Sequence, residues 1–145
     1  MSLCFGSVLA FALMVAGLVW MLVQRVLLAR SGAALAVQIA AVLLMIWARI
    51  TFGRRSFHAA ADPTGGGLVT TGPYAYLRHP IYAAVTYFAW AGAIDRHTAA
   101  AVAGALLVTC GAFVRMLAEE QLLVEMYPAY AAYRARTARV VPFLL

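Results

Sequence analysis

Apolar residues in this chain fall in long uncharged runs separated by short polar breaks. Leu3 to Val23 carries no charge and is long enough to cross a bilayer, which takes about 20 residues. Ala33 to Ala48 is a second such run, Ile81 to Ile94 a shorter third, and Thr98 to Val114 a fourth. Only Asp95, Arg96 and His97 separate the third from the fourth, which predicts a tight helical hairpin. Arg25 to Ser31 predicts another short turn. The pattern therefore predicts an all-α polytopic membrane bundle of about four transmembrane helices. Thr51 to His79 is the one long break, and Glu119 to Leu145 is a charged, aromatic tail. The first run has no basic stretch ahead of it and is too long for a secretory leader, so it reads as a retained membrane helix. Residues 1–145 read as one domain without internal repeats.

Composition strengthens this reading. Of 145 residues, 66% are hydrophobic and 11% charged. A soluble domain is about half apolar and a quarter charged. The net charge of +6 comes from arginine alone, with no lysine anywhere. That absence excludes Schiff-base chemistry and lysine-dependent phosphate loops. Because the arginines flank the apolar runs, they point to membrane boundaries and not to nucleic acid. With the N-terminus inside, Arg49, Arg54, Arg55, Arg78, Arg134, Arg136 and Arg139 are inside, and Arg25, Arg30 and Arg96 outside. The positive-inside rule prefers this orientation, which makes both termini and the tail cytoplasmic. Cys4 and Cys110 lie within membrane runs and read as helix-packing residues. No metal-ligand set is apparent. The glycines at 65–67 lack a strand-then-helix context and read as a flexible linker.

The candidate chemistry sits at the start of the third run. Pro80 suits the first position of a helix, and it keeps His79 out of the helical region. Arg78 and His79 therefore stand beside free N–H groups and the positive end of a helix. The forked guanidinium of Arg78 suits a carboxylate or phosphate. Tyr74, Tyr76 and Tyr82 add rings and hydroxyls. Past the fourth run come Glu119 and Glu120. An Arg78 and a glutamate flanking one apolar cleft would suit a zwitterion, with its carboxylate on the arginine and its ammonium on the glutamate. Two plainer readings stand beside this one. Arg, Tyr and His at a membrane boundary also serve as interfacial anchors. Arg115 and Glu119, four apart, also pair along a helix.

"GPYAYLRHPIY", then "EE", then "YPAYAAYRARTARVVPFLL" resembles the integral-membrane methyltransferases related to isoprenylcysteine carboxyl methyltransferase. The resemblance covers Leu68 to Leu145, and the two elements are specific only together. Tyr127-Pro128 stands where many members have Phe-Gly. The resemblance implies an S-adenosylmethionine site on the cytoplasmic side, built from residues 68–145. It implies Arg78, His79, Pro80, Tyr82, Glu119, Glu120, Tyr130 and Tyr133 as cofactor-binding residues, and Tyr74, as a ring and hydroxyl near Arg78, is a candidate beside them. Arg139 and Glu120 are the candidate catalytic residues: Arg139 falls on the tail motif and immediately precedes the apolar "VVPF", whose docking would carry it towards the cleft to orient the acceptor. Tyrosine faces would stabilise the sulfonium. A carboxylate acceptor needs no base, whereas an amine needs one, for which His79 or a tail glutamate is the candidate. The implied acceptor is a lipid or other lipophilic molecule reaching the site from the bilayer. The arginine-rich, lysine-free composition points to a bacterial inner membrane. Two alternatives remain open. One is an NADPH-dependent membrane reductase of sterol type, although Ile81 stands where those enzymes carry Asn after the proline. The other is a non-enzymatic membrane protein.

Overall fold

The four apolar runs become four long helices. The computed structural model describes residues 2–53 and 67–142, with side chains from residue 6 onward. Arg54, Arg55, most of the glycine-rich linker and residues 143–145 lie outside the described residues. In chain order the helices are α1 (Ser2–Val23), α2 (Gly32–Phe52), α3 (Pro80–Arg96), α4 (Ala99–Met126) and the short α5 (Tyr130–Arg136). A 3-10 turn, Gly72–Ala75, precedes α3. No strand occurs among the described residues, although Leu77 and Ala138 form an isolated parallel bridge.

Local sequence explains the boundaries. Ser31 and Thr98 are the N-caps of α2 and α4, and their hydroxyls accept from the N–H groups of Ala34 and Ala101. Pro80 opens α3, with His79 before it at φ −128° and ψ 59°. The α3–α4 hairpin turns through His97 in the left-handed region, at φ 48°. Gly72 has φ 57°, and a Cβ there would lie 2.7 Å from Thr51 Oγ1 on α2, so that turn requires glycine. The fourth run stops at Val114, but α4 continues to Met126. Its 28 residues span about 42 Å, more than the roughly 30 Å hydrocarbon core.

The helices pack antiparallel, α1 on α4, α4 on α3, and α3 on α2. Three of them, α1, α2 and α4, are long and apolar enough to cross a membrane. The 17-residue α3 is shorter and packs against both α2 and α4, so alanine and glycine fill its buried face. Lipid offers helices no hydrophobic driving force to associate, so close backbone contact has to supply the attraction. Gly17, Gly104 and Gly111 provide it between α1 and α4. A Cβ on Gly111 would stand 2.5 Å from the carbonyl oxygen of Ala10. Exposed Leu, Val, Ile and Trp side chains cover the outward faces of α1 and α2. Cys110 is exposed on α4 and does not pack between helices, because the buried stripe runs through Val108, Gly111 and Ala112 instead. This antiparallel order puts the start of α1, the end of α2, the start of α3 and the end of α4 at one end of the bundle. The candidate residues lie at that end.

Candidate functional site

Backbone pairing brings the two sequence elements together. The N–H of Arg78 donates to the carbonyl of Ala138 (2.7 Å), and that of His79 to the carbonyl of Arg139 (3.1 Å). The N–H of Ala138 returns a bond to the carbonyl of Tyr76 (3.0 Å). Segments 76–79 and 138–139 thus run side by side, as a strand pair would. Side chains tighten the clasp. Arg78 Nη1 donates to the carbonyls of Arg134 (2.7 Å) and Thr137. The Tyr133 hydroxyl donates to the carbonyl of Tyr74 (2.7 Å), and the Tyr87 hydroxyl to that of Val140. Thr137 caps the end of α5 by donating to the carbonyl of Tyr133 (2.7 Å).

Behind the clasp lies a compact charge cluster. Glu120, 5% exposed, holds two arginines and a histidine. Arg139 reaches it bidentately, Nε to Oε1 at 3.1 Å and Nη2 to Oε2 at 2.9 Å. Arg78 Nε is 3.3 Å from Oε1 without hydrogen-bond alignment. His79 stands between the two carboxylates, with Nε2 3.1 Å from Glu120 Oε1 and Nδ1 3.7 Å from Glu119 Oε2. Glu119 Oε1 accepts from the Tyr82 hydroxyl and pairs with Arg115 Nη2 at 3.2 Å. Three guanidiniums therefore face two carboxylates, and the cluster favours an anion.

The expected residues are brought together, in two layers. Arg78, Arg134 and Arg139 line an open groove of about 740 Å³, with Val124, Val140 and Val141 as its apolar wall. That volume suits a small-molecule ligand, for which about 300–1,000 Å³ is usual. Glu119, Glu120 and His79 are not lining residues; they back the arginines from inside. Pro80 is buried at the start of α3, and Tyr82 is buried beside His79, their rings 5.8 Å apart. Tyr130 and Tyr133 share the buried face of α5, as their spacing predicts, while Arg134 and Arg136 are exposed. Burial raises Tyr74, Tyr130 and Tyr133 above the ordinary tyrosine value, with nearby Glu119 adding to the rise at Tyr74 and Glu120 at Tyr130; Tyr133 is pushed up to about 12. The Tyr130 hydroxyl and Arg78 Nε are buried donors with no hydrogen-bond partner among the described residues. Such groups are costly to leave unpaired, and at Arg78 Nε the cost is offset by the charge of Glu120 at 3.3 Å.

Sequence reasoning gave Arg115 only a helix pair with Glu119, and that pair is present. It missed the link from Arg115 Nε to the Tyr82 hydroxyl (2.7 Å), for which an arginine inside an apolar run was the available signal. Thr137 and Tyr87 were also missed, and no local pattern marked them.

An antiparallel helical bundle with three helices of membrane-crossing length, and a groove lined by arginines at one end, defines a helical membrane protein. The particular family follows from comparison: residues 28–130 match the phospholipid methyltransferase family, and the chain belongs to it. This is the family of integral-membrane methyltransferases that also holds isoprenylcysteine carboxyl methyltransferase, in line with the resemblance of the two motifs. The match covers α2, α3, α4 and the first residue of α5; α1 lies before it and Arg139 after it. No curated protein and no solved structure matches the chain.

Proposed function

We propose that this chain is an S-adenosylmethionine-dependent methyltransferase of a bacterial inner membrane, acting on a lipophilic acceptor at a carboxylate or other polar head. The observation that carries the reading is the groove wall of Arg78, Arg134 and Arg139, built by two distant motifs in a member of a membrane methyltransferase family. Residues 1–145 act as one domain, and the tail end of the bundle faces the cytoplasm.

The residues present fit the cofactor. Its methionine end carries a carboxylate, which suits Arg78, a guanidinium that lines the groove. Tyr130 offers an unused buried hydroxyl. Tyr74, Tyr82 and Tyr133 frame the region with His79 and Pro80, and Glu119 and Glu120 hold its cations in place. When bound, S-adenosylmethionine supplies an electrophilic methyl group on a sulfonium. The chain's own work is then to position the acceptor and exclude water. Arg139, partly exposed and anchored on Glu120, pairs with the acceptor's anionic group. A carboxylate so held is already a nucleophile and needs no base. Val124, Val140 and Val141 form the apolar wall that keeps the head close to the lipid phase.

The test is a methyl-transfer assay with methyl-labelled S-adenosylmethionine against a total lipid extract, followed by identification of the product. Label is expected in a lipid fraction, together with calorimetric binding of the cofactor to purified protein. Absence of both label and binding overturns the reading.

A further inference from the structure

Arg115 has no part in the proposed reaction, yet it is 4% exposed inside a helix of membrane-crossing length. A cation in that setting is expensive and has to be compensated. Arg115 Nε donates to the Tyr82 hydroxyl (2.7 Å), and Nη2 pairs with Glu119 (3.2 Å). Its guanidinium carbon lies 5.2 Å from the centre of the Phe11 ring and 5.8 Å from that of Tyr82. A cation this close to two rings is attracted to both. Phe11 belongs to α1, which lies wholly outside the region that matches the family.

From Arg115 a continuous series of contacts reaches the groove. Glu119 Oε2 faces His79 Nδ1 (3.7 Å), and His79 Nε2 meets Glu120 (3.1 Å). Glu120 in turn holds Arg78 (3.3 Å) and Arg139 (2.9 Å), both groove residues. Networks of this kind polarise and restrain one another. With Arg115 gone, Glu119 would keep only Tyr82 and His79 of these partners. It would draw the imidazole towards itself and away from Glu120, and the two groove arginines would lose their fixed anchor.

We propose that Arg115 is a positioning residue for the groove arginines, and that Phe11, by holding Arg115, makes α1 a working part of the site. For its effect on ligand binding this inference rests on the proposed function. Its geometry can be tested without that reading.

The experiment measures S-adenosylmethionine binding to the purified full chain by calorimetry. Beside it, trypsin cleavage after Arg134 and Arg136 reports how firmly the tail is docked. Arg115→Met is expected to weaken binding by about tenfold and Phe11→Leu by about threefold, and both speed tail cleavage. Phe11→Tyr restores the ring and, with it, binding and protection. Leu13→Ala, on an outward face of the same helix, leaves both readouts unchanged. If Arg115→Met does not fold, Arg115→Met with Glu119→Gln removes both charges, and the Phe11 pair leaves every charge intact. Equal behaviour of Phe11→Leu and Phe11→Tyr would reduce Phe11 to packing and overturn the proposal. Should wild type fail to bind the cofactor, the proposed function falls and the trypsin readout alone decides. Faster cleavage in Arg115→Met and Phe11→Leu, with protection in Phe11→Tyr, then supports the positioning role, and unchanged cleavage ends it.

Discussion

The two ends of the bundle use polar side chains differently. At the end carrying the α1–α2 and α3–α4 turns, side chains bond to backbone. The carboxylate of Asp95 accepts from the N–H groups of Arg30 (2.6 Å) and Ser31 (3.1 Å). Gln38, buried in α2, accepts from the N–H of Ala29 (3.1 Å) and donates to the carbonyls of Leu27 (2.8 Å) and Phe88 (3.1 Å). Each of these polar groups satisfies a turn or a helix end. At the tail end side chains bond to backbone in the clasp and, in the charge cluster behind it, to one another. Arginines outnumber carboxylates there, two buried donors lack an aligned hydrogen bond among the described residues, and a groove opens beside them. The first arrangement closes a structure; the second, on the proposed function, holds charge for a ligand. Buried ion pairs are weak evidence for stability, because desolvation offsets their attraction, and this too points to function at the tail end.

The hardest way to break the comparison is to remove the carboxylate on which the tail end turns. Glu120→Ala leaves Arg78 buried without a counter-charge and Arg139 without its anchor. Breaking a buried pair from one side costs about 3 kcal/mol or more. The expected outcome is a large fall in melting temperature together with loss of methyl transfer. Glu120→Gln keeps the shape and some hydrogen bonds, and is expected to retain more stability than activity. A Glu120→Ala protein that melts and transfers methyl groups as wild type does would make the cluster a set of surface anchors.

Much of this contrast was legible in the sequence, and the illegible part has a common cause. Four uncharged runs gave four helices, and "RHP" gave the proline-started α3. The break at Asp95 gave the hairpin. The apolar run stops at Val114, but charge ends an apolar run without ending a helix, and Glu119 and Glu120 are good helix formers, so the helix pair of Arg115 with Glu119 was legible while the last turns of α4 were not. The clasp between 76–79 and 138–139 joins segments about sixty residues apart through backbone atoms that every residue shares, so no residue type announces it. The layering of the site was hidden likewise. Sequence placed Arg78 and Glu120 at one end of the bundle, but only packing decides that arginines face the groove and carboxylates stand behind them.

A smaller effect separates ligand contact from scaffolding within the tail. Arg139 lines the groove and Arg136 does not. Arg139→Ala removes one charge-assisted contact to the acceptor, about 1.5–3 kcal/mol, or roughly a tenfold to hundredfold fall in rate. The fall should persist at saturating cofactor while cofactor affinity stays near wild type. Arg136→Ala is expected to be nearly silent in the same assay. Equal, small effects from both would remove Arg139 from the acceptor site.

Alkaline pH offers a milder test confined to one end. The buried Tyr133 phenol is pushed up to about 12, against about 10 in an unfolded chain. A group whose value is raised in the fold keeps its proton there longer than in the unfolded chain. Its contribution to stability is therefore complete below pH 10 and is lost as the pH climbs towards 12. Trypsin cleavage in the tail should accelerate across that window, in step with late-appearing tyrosinate absorbance. In Tyr133→Phe the hydroxyl bond to the Tyr74 carbonyl is gone, and the tail should be looser at neutral pH and less sensitive to alkali. A wild-type tail that loosens well below pH 10 would show that the phenol is not what holds it.

The smallest expected effect belongs to the turn end and checks the comparison from its other side. Asp95 caps two N–H groups of the α1–α2 turn, and both bonds are exposed. When Asp95→Ala removes the carboxylate, water replaces it on both N–H groups, so little free energy changes. Gln38 remains to tie α2 to Leu27 and Phe88 from the buried side, and the turn keeps its position. The expected result is a slight drop in melting temperature and methyl transfer within about twofold of wild type. The charge cluster lies at the far end of α3, whose 17 residues put about 25 Å between the two ends. No buried ion pair links Asp95 to that cluster among the described residues. A large loss of activity in Asp95→Ala, with melting unchanged, would mean that the ends communicate along α3, and the division of labour between them would have to be abandoned.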